Sequence, residues 1–501
     1  MAEKTYDPTL ENRLNEVCRL LKEVLGEEWV SDDPVTNICY SRDQSIVRAK
    51  RPNMVAMPDS TEQVAEVIRI ARAHGVPLVP YSTGINSGGG CIPEKGGIIL
   101  DMRRMDKILE IDEANMTMRL QPFVSFGWGQ CEAQKVGMRL CNPTAPPTPS
   151  VLANFLDKGI GLSSVKYGLG PDHIVNMTVV MPDGEILKTG SDAYPGVGNV
   201  NIGGPGPELG GMFESSYGMF GVVTEMTVQL YHWPRFEYFT GITDENEDLE
   251  TILDVMRGLV REDITEEIFL FQDAYLAIGA AENNDGAELL RKYAPRNAVI
   301  LYLAGWTQEE VDIKKRQLDR FVEKRKLTYI SDTFMEMYDK ALDAKKCLKI
   351  TQFTPRAERL RGSFLIFWFN TTLGNLPPIA RLYQKMITEE LADTDPRSAK
   401  DPFPRDCPAI YVQPVEFARY CGVEMDVFYS PEDPESVKRT LPLAPKFIET
   451  VLNLGGWYER TLHFGVWQSP RLGTYFPLLC EMKKILDPEN IMNPGRVGIP
   501  A

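Results

Sequence analysis

The sequence predicts an α+β fold in two parts, and three observations carry that prediction. Residues 61–101 run as an amphipathic helix, a short apolar strand, a glycine-rich loop and a second apolar strand. HIVNMTVVMPDGEILKTG reads as two strands joined at an Asp183-Gly184 turn, a strong local hairpin signal. After Pro234 the texture changes, and charged helical stretches alternate with apolar strand candidates.

The elements follow in order. An amphipathic segment around Leu14 to Leu25 predicts a helix, and Pro52 to Pro58 leads into a second. In TEQVAEVIRIARAHG, Val64, Val67, Ile68 and Ala71 recur at helical spacing and Gly75 is a stop signal. VPLVPYSTG follows as a buried strand entering a loop, and GGIILDMRRM as another strand. Residues 111–130 alternate and then are expected to enter glycine-rich loops. The proline-rich NPTAPPTPS, residues 142–150, can form neither a regular helix nor a central strand. A second glycine and proline cluster, NIGGPGPELGGM, precedes the strand-like GVVTEMTVQLYHWP. Beyond Pro234, the helical VDIKKRQLDRFVEKRK accompanies the strand candidates EIFLFQ, AVILYLAGW and GSFLIFWF. These changes divide the chain into residues 1–234, a second α+β domain at 235–450, and a terminal segment at 451–501 that is expected to return to the first domain.

Composition narrows the function. A formal charge of −16 argues against nonspecific nucleic-acid binding, which needs concentrated Lys and Arg. The N-terminus lacks a basic start followed by an apolar run, and no apolar run approaches the roughly 20 residues needed to cross a bilayer. A cytoplasmic protein without membrane insertion is therefore expected. The nine cysteines form no CxxC pair and the four histidines no HExxH, so no metal site is expected.

PYSTGINSGGG, residues 80–90, is the most informative local segment. Gly84, Gly88, Gly89 and Gly90 permit tight turns, while Ser82, Thr83, Asn86 and Ser87 supply short polar groups to organise them. Successive N–H groups in such a loop can form an anion nest suited to pyrophosphate. It is neither a GxxxxGK[ST] phosphate loop nor the GxGxxG strand-to-helix fingerprint. A surface turn is the alternative reading of this segment taken alone.

MVAMPDSTEQVAEVIRIARAHGVPLVPYSTGINSGGG, SVLANFLDKGIG, PDHIVNMTVVMPDGEILKTGSDA, GMFESSYGMFGVVTEMTVQL and the terminal LDPENIMNPGRVGI together resemble the vanillyl-alcohol oxidase and para-cresol methylhydroxylase family of FAD-linked oxidoreductases. The resemblance covers the flavin domain well and the cap thinly. It implies an α+β FAD-binding domain, an α+β substrate cap domain and a tail closing over the first. By the same resemblance, Ser82 to Gly90 contacts the flavin pyrophosphate, and Ser150, Asn154, Gly159 and Gly161 help line the cofactor channel. Asp172, His173 and the strand Gly221-Val222-Val223 approach the flavin, and Arg496 of the terminal motif belongs to the same cofactor set. Family members may hold FAD covalently through His or Tyr. Tyr411, Tyr420 and Tyr429 lie in the relevant half, Cys91 reads as structural, and noncovalent FAD is the expectation.

The family moves hydride from a substrate carbon to FAD, leaving the protein to place that carbon and stabilise developing charge. GGWYERTLHF resembles the region in which adjacent Tyr and Arg bind a phenolic oxygen; Arg460 matches best, Glu459 stands where a Tyr would, and Tyr458 is displaced. A buried ion pair beside an aromatic ring is the alternative role for Arg460 and Tyr458. His463 is a candidate proton acceptor against a packed histidine, and Arg361 a candidate cap-pocket residue against a surface ion pair. APPTPS supplies no carboxylate where some relatives carry one. The aromatic residues of FLIFWF and GGWY suit an aromatic pocket and equally a core. The expected activity is removal of hydride from a small aromatic alcohol or 4-alkylphenol. A 2-hydroxyacid dehydrogenase, lacking here an HGDGNxH cluster, and a non-catalytic flavoprotein are the alternatives. Expected partners are a small aromatic substrate, a cytochrome or other electron acceptor, and a second copy of the chain in a homodimer.

Overall fold

In the computed structural model the described residues are 8–86, 88–141, 147–246, 248–281, 283–336, 363–390, 409–460 and 465–500. Ser60 opens an amphipathic helix by accepting a hydrogen bond from the Gln63 N–H, 3.4 Å away, and the helix runs over Thr61–Ala73. Its buried face is Val64, Ala65, Val67, Ile68 and Ala71, and Gly75 ends it at φ 58°. That face and the helix Pro8–Leu25 cover a four-stranded sheet of β1 (Val30–Ser31), β2 (Met54–Ala56), β3 (Leu78–Tyr81) and β4 (Ile98–Asp101), in the order β1-β2-β4-β3. Strands β2, β3 and β4 are parallel, so every turn of chain from β2 to β3 must cross over through the helix.

A five-stranded antiparallel sheet stands beside it, built from β5 (Ile108–Asp112), β6 (Thr117–Leu120), β8 (Ile174–Val180), β9 (Ile186–Lys188) and β10 (Val222–Gln229), in the order β5-β6-β10-β8-β9. The Asp183-Gly184 turn joins β8 to β9, with Gly184 at φ 84°. A short ribbon pairs β7 (Met138–Arg139) with β11 (Tyr231–His232). Residues 126–135 differ from expectation, since FGWGQCEAQK is a helix capped by Ser125 and not a glycine-rich loop. Its glycines make close approach possible. A Cβ at Gly127 would sit 3.2 Å from Pro147 and one at Gly129 2.9 Å from Leu140. The end of the chain returns to β3, where the Leu78 N–H donates to Ile491 O (2.8 Å) and the Asn493 N–H to Leu78 O (2.8 Å).

The second half forms a seven-stranded antiparallel sheet. It comprises β12 (Phe236–Thr243), β13 (Glu267–Gln272), β14 (Asn297–Gly305), β15 (Thr328–Tyr329), β16 (Ser363–Thr371), β17 (Ala409–Val415) and β18 (Tyr420–Tyr429), in the order β15-β12-β14-β13-β17-β18-β16. Alternation sorts its side chains. Leu365, Phe367, Phe369, Val423, Met425 and Val427 face a layer of helices that contributes Met256, Phe321, Tyr383 and Phe447. Phe364, Ile366, Trp368, Glu424 and Asp426 lie on the opposite face, which turns toward the first half of the chain. The two halves meet where Gly422 lies against Ile160: a Cβ there would approach Ile160 Cδ1 and the Trp368 ring to 2.6 Å. Arg139 clamps the other side of the junction through Glu267, 2.9 Å away. No described helix is long and apolar enough to cross a membrane.

Candidate active site

Strand β3 delivers the glycine loop. Gly84 holds φ 74°, and a Cβ at that position would stand 2.0 Å from the Tyr81 hydroxyl, so the turn requires glycine. Asn86 organises the loop, its Oδ1 accepting from the Gly88 N–H at 2.9 Å and the Gly90 N–H at 3.0 Å. Thr83 Oγ1 accepts from the Ser150 N–H (3.2 Å), and Ser150 in turn caps the helix Val151–Leu156. Two distant segments are thereby fixed side by side. Gly218 completes the floor at φ 81°, where a Cβ would press on Pro80 at 2.4 Å.

Above this floor a cleft of about 300 Å³ separates the loop from the aromatic face of the cap sheet. Of the cofactor residues read from the sequence, Ser82, Thr83, Gly84, Asn86, Ser150, Asn154 and Val222 line it. Gly88 and Gly89 belong to the loop without lining the cleft, and Ser87 lies outside the described residues. Gly159 and Gly161 stand behind the wall. Gly159 makes room for Asn154, whose Oδ1 would lie 1.8 Å from a Cβ there, and the Gly161 N–H donates to Ser164 Oγ (2.8 Å).

Three other residues of the cofactor set are placed away from the cleft. Asp172 Oδ2 accepts from the Leu169 N–H at 2.7 Å and so holds a turn. His173 is buried, with Nδ1 2.7 Å from the Tyr231 hydroxyl and its ring against Phe155, and burial pushes its pKa down to about 3. Arg496 is fully buried behind the loop, donating to Ile92 O, with Glu94 3.7 Å from its Nη1. Its Nε lacks a hydrogen-bond partner, and burial lowers its pKa.

Of the two candidate catalytic residues among the described ones, Arg460 is placed at the cleft and Tyr458 is not. Its Nη2 donates to Lys158 O at 2.5 Å, its guanidinium carbon lies 5.0 Å from the Trp368 ring centre, and its buried Nε has no hydrogen-bond partner. Tyr458 points the other way, into the cap core against Phe369, so the expectation that it faces substrate is corrected. Two residues along an extended segment share a face, but the chain bends at Glu459. His463 and Arg361 lie outside the described residues.

The sequence reading missed a set of buried polar groups around Arg460. Asp157 lines the cleft and accepts a hydrogen bond from the Tyr217 hydroxyl (2.7 Å); burial raises its pKa while Arg460 opposes that rise. Glu424 lines the opposite wall. Next on the same face of β18 comes Asp426, and the Tyr275 hydroxyl donates to both, at 3.2 Å to Glu424 Oε1 and 2.5 Å to Asp426 Oδ2. Burial raises both carboxyl pKa values, that of Asp426 well above the usual range. A sequence signal existed: two acids spaced by two within the apolar YCGVEMDVFY must share one face of a buried strand.

The floor suits an anionic dinucleotide, because a glycine turn and short hydroxyl and amide side chains face the cleft. Fold and site together define a flavoprotein class, an FAD-binding domain roofed by an antiparallel cap sheet. Residues 52–190 match the family described as FAD binding domain. The chain has the fold of the vanillyl-alcohol oxidase and para-cresol methylhydroxylase family of FAD-linked oxidoreductases. It superposes on substrate-bound p-cresol methylhydroxylase with a TM-score of 0.83 at 21% identity, covering 98% of each chain. It superposes on 4-ethylphenol oxidase from Gulosibacter chungangensis in its isoeugenol complex with a TM-score of 0.84 at 19% identity, covering 99% of this chain and 98% of that one. Among curated proteins it is 27% identical over 291 residues to glycolate oxidase subunit GlcD of Bacillus subtilis, a match spanning 57% of this chain and 60% of that protein.

Proposed function

We propose that the protein is an FAD-dependent oxidoreductase that removes hydride from a small aromatic alcohol or 4-alkylphenol. The observation that carries this reading is the cleft itself, where the aromatic Phe364 and Trp368 stand on one wall and Arg460 presents a buried, partnerless Nε. A planar apolar ring fits between the walls, and a phenolic oxygen fits the guanidinium, whose fork favours the phenolate form. FAD, when bound, supplies the hydride acceptor. The loop from Ser82 to Gly90 would hold its pyrophosphate, and Arg496 would add positive charge from behind that loop. Attachment is read as noncovalent.

On this reading electrons leave to a cytochrome or other acceptor, and the net charge of −16 suits a basic partner. A homodimer fits the exposed Tyr475, Leu478 and Ile485 on the terminal helix Tyr475–Leu486. A cytoplasmic location fits the acidic composition. The second reading, a 2-hydroxyacid dehydrogenase, is favoured by the similarity to glycolate oxidase subunit GlcD and by the capacity of Arg460 to bind a carboxylate.

The deciding experiment is anaerobic titration of the yellow holoprotein. Bleaching by 4-alkylphenols or aromatic alcohols, with none by lactate or glycolate, is the expected result. Bleaching by the hydroxyacids alone would transfer the assignment to the second reading. Stable colour with every compound would leave a non-catalytic flavoprotein.

A further inference from the structure

The cleft contains a carboxyl that the functional reading does not use. Glu424 stands on its cap-side wall, directly across the strand pair from Trp368, and lies close enough to Arg460 for their charges to interact. Asp426 lies immediately behind, 1% exposed, with its Oδ1 lacking a hydrogen-bond partner. The Tyr275 hydroxyl spans the two carboxyls from the helix Asp273–Ala280.

We propose that Glu424 is the catalytic proton acceptor for the hydroxyl group of the aromatic substrate, with Asp426 and Tyr275 as its positioning residues. The inference rests on the aromatic-hydroxyl reading given above. Two desolvated carboxyls bridged by one tyrosine hydroxyl repel each other when both are ionised, so burial and that repulsion favour the state in which the pair shares one proton. Asp426, the deeper of the two and the one pushed well above the usual carboxyl range, holds that proton. Glu424 is left ionised toward the cleft. When substrate binds, its O–H bond breaks, a Glu424 Oε takes the proton, and the electron pair of the broken bond stays on the substrate oxygen in the field of Arg460. No net charge enters or leaves the cleft in that transfer.

Burial is what suits Glu424 to the task. An exposed carboxyl is too weak a base to hold a phenol proton, whereas desolvation makes this one a stronger base. The other groups facing it are Asp426 on its own strand, Tyr275 from the helix, Arg460 from the terminal segment and Tyr411, opposite it on β17. Tyr411 spends its hydroxyl proton on Gln413 Oε1 at 2.9 Å, leaving Tyr275 as the tyrosine that holds the pair.

The test uses holoenzyme and 4-fluorophenol, which has no oxidisable para carbon and reports its own ionisation through its ¹⁹F shift. Proton exchange with solvent is read by calorimetry in buffers of different ionisation enthalpy. At pH 7 the wild type is expected to bind the probe as phenolate with no proton released to buffer. Glu424→Gln, matched to it for FAD content and melting temperature, is expected to bind at least about tenfold more weakly and to hold neutral phenol. Asp426→Leu removes the polar neighbour that lowers the pKa of Glu424, so the pH midpoint of phenolate binding should move up, and Asp426→Asn should restore it.

Release of one proton per phenol bound by the wild type would overturn the proposal even if no variant folds. Phenolate binding by Glu424→Gln at wild-type strength would overturn it as well. In either case, bleaching of the wild type by 4-alkylphenols would leave the functional reading standing. A wild type that neither binds 4-fluorophenol nor is bleached by 4-alkylphenols would overturn both.

Discussion

The Arg460 guanidinium stands 5.0 Å from the ring centre of Trp368, joining the terminal segment to the cap sheet across the mouth of the cleft. Its Nη2 is held by Lys158 O, so the remaining donors of the fork are aimed rather than free to swing. Replacing Arg460 by Lys keeps the charge and loses the fork. Anaerobic flavin reduction by 4-alkylphenols is expected to slow roughly 10- to 100-fold, the value of a lost charged hydrogen bond. Stopped-flow rates on preparations matched for FAD content and melting temperature check this, and unchanged rates would remove Arg460 from oxygen binding.

His173 predicts an acid limb of stability. The fold accepts its neutral imidazole, with a pKa pushed down to about 3 from an ordinary 6.5, so below 6.5 the unfolded chain binds a proton that the native chain does not. The stabilisation is complete above pH 6.5 and is lost progressively as pH falls toward 3. His173→Gln is expected to flatten that loss by up to about 1.4 kcal/mol per pH unit across the window. Urea unfolding of both proteins between pH 7 and pH 4.5 gives the slopes. Parallel curves would show that His173 titrates normally.

What the sequence made legible was local. The helix Thr61–Ala73 announced itself through a 3.6-residue apolar period and Gly75, both within one short window. FGWGQCEAQK failed to do so because its glycines weaken helix propensity, and their reason for being there, Pro147 and Leu140, lies outside the window. FLIFWF was ambiguous between pocket and core because it is both: Phe364, Ile366 and Trp368 face the cleft while Leu365, Phe367 and Phe369 face the helices. The site was least legible where its partners are remote. Tyr275 meets Glu424 across 149 residues and Arg460 meets Lys158 across 302, separations over which one sequence offers no spacing rule.

Flavin attachment gives the third prediction. Tyr411 is tied to Gln413, Tyr429 is buried among the helices, and Tyr420 packs on Trp457; none of them lines the cleft. Among the described residues no histidine lines it either, and the groups that do, the Cys91 thiol and the Tyr81 and Tyr217 hydroxyls, are pushed up in pKa by burial, away from the anion a bond to flavin requires. Acid precipitation of the yellow protein should therefore leave the colour in the supernatant. A yellow pellet would establish a covalent bond.

Gly159 gives the fourth. A methyl group at this position would lie 1.8 Å from Asn154 Oδ1, well inside contact distance, and Asn154 lines the cleft on the cofactor side. The backbone cannot yield easily, because the Gly159 N–H is bound to Asn154 O (2.8 Å) and its own carbonyl accepts from the Gly170 N–H (2.7 Å). Relief in Gly159→Ala must come from the Asn154 side chain swinging into the cleft. The variant is expected to lose about 1–3 kcal/mol of stability, as overpacked sites do, and to be purified with less FAD. Asn154→Ala removes the obstructing group, so Gly159→Ala should cost less in that background, with a coupling of about 1 kcal/mol or more. Thermal unfolding of the four proteins, with FAD content read from absorbance, measures both effects. If Gly159→Ala is equally harmful with and without Asn154, the glycine is required by its backbone neighbours, and the wall of the cleft does not depend on this pair.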